Sequence, residues 1–331
     1  MGCCSAGSDP VSELTSVVPH PSASALHLVG SRDGLLPLLA LLVVLPFAIG
    51  GFWLYSLGLC FANSIGVLAV TLLLRFGGEV SIGHSVFVAA GAYAVAILEK
   101  QFGLSILAGL PVALVIGTVL GLLLAYPSRR LSGVYLAVTT MAMALALPEI
   151  ILHAGPVAGG FEGLYVSGTL FPDVSKPLQH YYLALAVLAG AVLALDRLRQ
   201  SRQGLALLTA RSHPAAVEAF GITRDWARLS VMGLSGGLAA LSGAVLAFAS
   251  STVSPNSFTL WSSIFLLVGS VVSVYGLSLA RALLGGMFLT LVPQVLAGAG
   301  NWIPVLYGAS LLAVVLGGHF APRLRTMGRR R

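Results

Sequence analysis

Charge is scarce in this chain. Only 9% of its 331 residues are Asp, Glu, Lys or Arg, whereas soluble globular domains carry roughly 25%. With 18 basic and 11 acidic residues, no water-facing surface of a 34.1 kDa globule can be built. Lysine is scarcer still, present only at Lys100 and Lys176. Cysteine occurs three times, as the adjacent pair Cys3 and Cys4 and the isolated Cys60, which excludes a disulfide framework and a cysteine metal site. What is abundant is apolar: 57% of the residues are hydrophobic and the mean hydropathy is +0.95. These values describe a polytopic membrane protein whose main solvent is lipid. The 39 glycines are consistent with this, because Gly is frequent where membrane helices approach closely or break around a cavity.

Residues 1–34 are rich in Ser, Pro and Gly, lack the order of a secretory signal, and read as a disordered cytoplasmic tail. From Leu35 to residue 318, apolar runs near the bilayer-spanning length of about 20 residues follow one another with little between them. They predict an all-α membrane domain of about ten transmembrane helices, at 35–55, 57–74, 84–98, 104–125, 132–152, 180–195, 229–249, 261–276, 279–296 and 303–318. Continuous runs exclude a barrel, whose strands alternate.

The arginines sort by side. With the N-terminus inside, Arg32, Arg75, Arg129, Arg130, the six Arg of the loop 196–228, Arg281 and the five Arg of the basic tail 319–331 all fall on the cytoplasmic face. Lys100 and Lys176 fall opposite, beside Glu99, Glu149, Glu162 and Asp173. That is the positive-inside pattern, with both termini cytoplasmic, and not a nucleic-acid groove. Ten spans divided five and five would run in opposite directions, so an inverted 5+5 repeat is possible. The Gly, Ala and Ser content of 81–94 and 233–247 is similar, as it is in any closely packed pair of membrane helices.

Three stretches carry the candidate chemistry. The first, Gly78, Glu79, Ser81, Gly83, His84 and Phe87, continuing to Tyr93, places an acid, a hydroxyl and an imidazole among glycines at a membrane boundary. Ionisable groups in a membrane are usually buried in the bundle or line a wet cavity, and glycine permits a broken helix there. These residues read as lining or hinge of a translocation pathway; the alternative is a cytoplasmic loop in which Glu79 and His84 cap a helix and face water. The second stretch, Arg211, His213, Pro214, Glu218, Ala219 and Gly221, reads as a short helix started at Pro214 and ended at Gly221. Flanked by Arg on both sides, it suits docking of a peripheral protein or contact with anionic headgroups. The third, Gly159, Gly160 and Gly163 around Phe161 and Glu162, belongs to a long external loop, 153–179, that suits a plug or a contact for a soluble partner.

Catalysis finds no support. Neither lysine follows a glycine, so no phosphate-binding P-loop exists, and nucleotide hydrolysis would belong to another chain. His84, His153, His180 and His213 are too dispersed for a metal site, and no Ser, His and acid converge on one side.

In family order, these motifs resemble the permease subunits of branched-chain amino acid ABC importers, specifically the LivM-type subunit. Residues 78–87 followed by Gly91, Ala92 and Tyr93 are similar to the family's G-Q-L-S-L-G-H-A-A-F and G-A-Y. Residues 131–137 with Thr140 resemble its R-L-R-G-I-Y-F-A segment, and Gly159, Gly160, Gly163 and Leu164 its T-G-G-x-x-G-L. Residues 211–222 resemble the ATPase-contacting segment, and 253–258 resemble V-S-P-x-S-F. Glu79 replaces the family's Gln, and Ser212, His213 and Pro214 replace its acidic D-x-E. The resemblance implies a bacterial inner-membrane importer of amino acids built from this chain and a second, LivH-like permease chain. Two ABC ATPase subunits would bind ATP and Mg, since this chain holds no cofactor, and an external solute-binding protein would deliver substrate. The docking residues would be Arg211, His213, Pro214, Glu218, Ala219 and Gly221. Importers of urea, amides or sugars share the architecture. A stand-alone secondary transporter, with Glu79 and His84 carrying protons, is the rival class.

Overall fold

The computed structural model describes residues 32–128, 134–166, 169–212, 223–273 and 276–296, and the single positions 218, 305, 308, 309 and 312. The described chain is helical: α1 (Arg32–Val44), α2 (Gly51–Leu72), α3 (His84–Phe102), α4 (Ile106–Ser128), α5 (Val134–His153), α6 (Lys176–Gln200), α7 (Arg202–Ser212), α8 (Arg224–Ser250), α9 (Leu260–Val272) and α10 (Leu279–Leu296). Among the described residues, seven stretches are long and apolar enough to cross a membrane, and two shorter apolar helices, Pro37–Phe47 and Leu279–Val295, accompany them. The tenth expected span, 303–318, lies outside the described residues apart from four single positions.

Two expected boundaries move. The run 35–55 is not one helix. It breaks after a 3-10 turn at Leu45–Phe47, and α2 begins at Gly51. Pro46 explains the break, since it supplies no N–H to the carbonyl of Leu42, four residues earlier. The Tyr181 hydroxyl donates to that Leu42 carbonyl instead, at 2.6 Å, and the Tyr182 hydroxyl to the next one, Val43, at 3.2 Å. The carbonyl orphaned by the proline and its neighbour thus become the seam between α1 and α6. The loop expected at 196–228 is also largely helical: α6 runs on to Gln200, and α7 occupies Arg202–Ser212. Ser201 makes the corner, its hydroxyl donating to Leu198 O at 2.7 Å and accepting from Gly204 N at 3.1 Å. Polar side chains hid this helix from a reading based on apolar runs. Further on, α8 starts where Thr223 caps it, its hydroxyl accepting from Trp226 N at 3.4 Å, with Asp225 in the positive first turn.

The centre of the bundle is α2 and α8, each with 78% of its most apolar stretch buried. Their neighbours come so close that backbone meets backbone. A Cβ on Gly91 of α3 would lie 1.9 Å from Ala240 O of α8, and one on Gly243 of α8 would lie 1.8 Å from Val88 O of α3. On the other flank, Gly117 and Gly236 face each other, each with a Cβ position 2.5 Å from the other's carbonyl oxygen. Dispersion between closely approaching helices, not a hydrophobic effect, drives association in lipid, so these approaches stabilise the bundle directly. Polar bonds join α10 to α2: Asn63 Nδ2 donates to Thr290 Oγ1 at 3.1 Å and Gln294 Nε2 to Ser56 Oγ at 3.0 Å. At the end of the bundle away from α7, Leu164–Tyr165 and Thr252–Val253 pair as two short antiparallel strands, β1 and β2.

Candidate functional site

The helix begun at Gly51 does not run directly into α3. It loosens into a π-helical turn at Leu73–Gly77 and stops at Gly78, whose φ of 68° lies in the left-handed region that favours glycine. A short segment then leads to the α3 N-terminus, whose first amides have no partners within the helix. Other helices supply them. Ser263 Oγ, from α9, accepts from Ser85 N at 2.8 Å and itself donates to Ser85 Oγ at 2.8 Å. Thr140 Oγ1, from α5, accepts from Ile82 N at 3.1 Å, and Gly83 passes so near that a Cβ there would lie 2.5 Å from Thr140 O. Ser81 is buried, and its hydroxyl accepts from Gly83 N at 3.4 Å. The interruption is therefore a built element, held by hydroxyls from two later helices.

His84 sits at the first position of α3 with no exposed surface. Its Nε2 lies 2.8 Å from Ser235 Oγ of α8. That hydroxyl spends its single hydrogen on Ala69 O of α2, at 2.7 Å, so Nε2 is the donor to Ser235. One serine thus ties α2, α3 and α8 together at the interruption. Phe87 is buried edge-on to His84 with ring centroids 5.7 Å apart, and Tyr93 lies further along α3 against Phe258 at 6.2 Å. The reading in which Glu79 and His84 cap a helix and face water does not hold: His84 is wholly enclosed, and the Glu79 side chain is only 14% exposed.

Glu79 pairs with Arg228, on the first turns of α8, through its carboxylate and the guanidinium Nε. Next to it, Arg211 near the end of α7 donates from Nη1 to Arg75 O at 2.6 Å, and its side chain lies across Gly78, where a Cβ would meet Nε at 2.9 Å. The charges of Arg199 and Arg281 also reach Arg75, so arginines from α6, α7 and α10 gather at the end of α2. Of the residues read as docking, Arg211 lies against this interruption. Glu218 is exposed and helical; His213, Pro214, Ala219 and Gly221 lie outside the described residues.

The external candidates form a separate site at the far end of α3, whose 19 residues span about 27 Å. Gly159, Gly160 and Gly163 all have positive φ, at 77°, 61° and 77°. A Cβ on Gly163 would lie 2.1 Å from Val253 O, so this glycine allows β1 to close onto β2. Lys176 locks the arrangement, Nζ donating to Ser251 Oγ at 2.8 Å and Val166 O at 3.3 Å. An open cleft of about 280 Å³ is lined there by Glu99, Lys100, Gly163, Leu164 and Tyr165.

Motifs far apart in sequence thus meet in pairs: Thr140 joins residues 82 and 83, and 163–165 join 252–254. Arg228, Ser235 and Ser263 were not singled out from sequence, although each completes the interruption. A serine recurring in an otherwise apolar helix was the available signal, since such a hydroxyl must find a partner.

A multi-pass helical bundle with one helix broken at a polar, glycine-flanked turn has the build of a membrane permease. The sequence pattern of the family described as "Branched-chain amino acid transport system / permease component" matches residues 52–317. The chain belongs to that family of permease components. It is similar to the high-affinity branched-chain amino acid transport system permease protein LivM of Escherichia coli K12, 25% identical over 280 residues that cover 76% of this chain and 66% of that protein. The LivM of Salmonella typhimurium LT2 is 25% identical over 247 residues, covering 66% of this chain and 58% of that one. The chain therefore spans 66% and 58% of the length of these two relatives, less than two thirds of either. No solved structure matches it.

Proposed function

We propose that this chain is the LivM-like half of the membrane pathway of an ATP-driven importer for branched-chain or related amino acids, in a bacterial inner membrane. A LivH-like permease chain would complete the pathway. Two ABC ATPase subunits, holding ATP and Mg, would dock on the arginine-rich end around α7 and residues 211–221, and an external solute-binding protein would meet the β1 and β2 end. The observation that carries this reading is the joining of an interrupted, hydroxyl-held helix to a helix bearing Arg211, at the end where the arginines gather. That end is the cytoplasmic one by the positive-inside rule, which puts both termini in the cytoplasm. The two halves would relate as an inverted repeat, with the broken helix near the pathway as in other repeat transporters.

In this mechanism residues 78–83 are the hinge, with Ser81 buried in it, and His84, Phe87 and Tyr93 the wall behind it. ATP-driven closure of the ATPases moves the docking segment, and the hinge converts that motion into a change of access. The test is uptake of radiolabelled leucine, isoleucine and valine into proteoliposomes holding this chain, its LivH-like partner and the ATPases, with the binding protein supplied outside. Uptake requiring both ATP and binding protein is expected. Uptake by this chain alone, driven by a proton gradient, would overturn the reading in favour of a secondary transporter. Import of urea, an amide or a sugar by the same assembly would leave the machine intact and move the substrate class.

A further inference from the structure

We propose that Arg211, Gly78 and the Glu79 and Arg228 pair form a clasp through which movement of α7 and the base of α8 reaches the α3 N-terminus, making Arg228 and Glu79 positioning residues for transport. The proposal rests on the importer reading and adds the parts that carry the motion. Three elements meet at the clasp. Arg211 of α7 holds the last turn of the α2 helix by its Arg75 carbonyl and lies across Gly78. One residue on, Glu79 is held by Arg228 of α8. Five residues further, His84 is held by Ser235 of the same α8.

Residues 228 and 235 are seven apart, two helical turns, and so lie on one face of α8 about 10.5 Å from each other. The interruption is thus gripped at both ends by one helix. If α8 shifts or rotates, Glu79 and His84 move with it as a unit. If α7 shifts, the force enters at the left-handed residue where the backbone is able to turn. Glu79 and Arg228 are enclosed, with side chains 14% and 12% exposed. Ion pairs so placed contribute little net stability, because desolvation offsets attraction. What the pair adds is direction, since it resists separation of α8 from the hinge more than hydrophobic contacts would.

The experiment uses the whole assembly in proteoliposomes and reads substrate uptake and ATP hydrolysis in the same vesicles. Glu79→Gln and Arg228→Gln are each expected to lower uptake per ATP by roughly tenfold, a typical size for coupling between sites, in assemblies that still elute intact. The exchange Glu79→Arg with Arg228→Glu is expected to recover most of the loss because it restores the ion pair, and a purely structural defect would instead lower the yield of intact assembly without changing uptake per ATP. If the exchanged chain fails to assemble, Arg228→Lys against Arg228→Gln decides, the lysine retaining coupling and the glutamine losing it. Unchanged uptake per ATP in the single variants, or no rescue by the exchange or by the lysine, overturns the clasp. A wild-type assembly that needs neither ATP nor binding protein overturns the importer reading instead, so the two failures are distinguishable.

Discussion

The central helices α2 and α8 and the outer helices α4 and α5 are equally apolar in composition and opposite in environment. Buried share reaches 78% in the most apolar stretches of the first pair, but 28% and 22% in the second. The mean hydropathies of those stretches are 2.2 and 1.8 against 2.5 and 1.8, so apolarity does not decide which helix is inside. Small and hydroxylated residues do. The α2 and α8 helices carry Ser64, Thr71, Ser235 and Ser242, all buried and hydrogen-bonded to backbone carbonyls, whereas α4 and α5 present Leu114, Leu123, Val138 and Leu145 outward. In lipid an apolar side chain gains little by turning inward, while a hydroxyl or a bare glycine backbone gains a partner or a close contact.

The largest expected effects fall on the glycine approaches. Gly243→Ala should destabilise the bundle by about 3 kcal/mol, the upper part of the range for overpacking, because its Cβ would overlap the Val88 carbonyl. Gly190→Ala on α6, with nothing within 4 Å, should leave thermal unfolding in detergent unchanged. Equal behaviour of the two variants would break the comparison.

Next comes Ser235→Ala, which removes the partner of a fully buried imidazole and should cost about 2 kcal/mol by the same measurement. Tyr181→Phe should follow at about 1 kcal/mol, since it leaves Leu42 O without its hydroxyl donor beside Pro46. Limited proteolysis of that variant should show α1 detaching before the rest.

Last come Leu123→Ala and Leu145→Ala on the outer helices, expected within about 0.5 kcal/mol of wild type. A change confined to co-purification with a second permease chain would sharpen the comparison, by identifying that outer face as covered by protein and not by lipid.

Most of the spans were legible in the sequence, because a long apolar run is a property of composition along the chain. Glycines 78 and 83 and His84 were legible as a break, since polar residues among glycines interrupt an apolar run. Their partners were not. Arg228 looked like one more loop arginine, and nothing local to Glu79 points 149 positions ahead. The split at Gly50 was masked by apolar residues on both sides of it. Strands of two residues, at 164 and 252, are too short to have a period, so β1 and β2 could not be anticipated. Helix α7 was hidden for the converse reason: its face lacks the continuous apolar run by which the other helices were found.

The hydroxyl that closes the start of α3 comes from Ser263, 178 residues after the amide it serves. At synthesis rates of about 5–20 residues per second, that amide enters the membrane roughly 10–35 seconds before its partner exists. Thr140 arrives sooner, 58 residues behind Ile82, and holds the neighbouring turn in the interval. The nascent first half is thus a provisional object, with a helix start that must stay near water, lipid headgroups or an insertion factor until the second half is made. A chain truncated before α9 would keep the Ser85 amide without its Ser263 partner permanently.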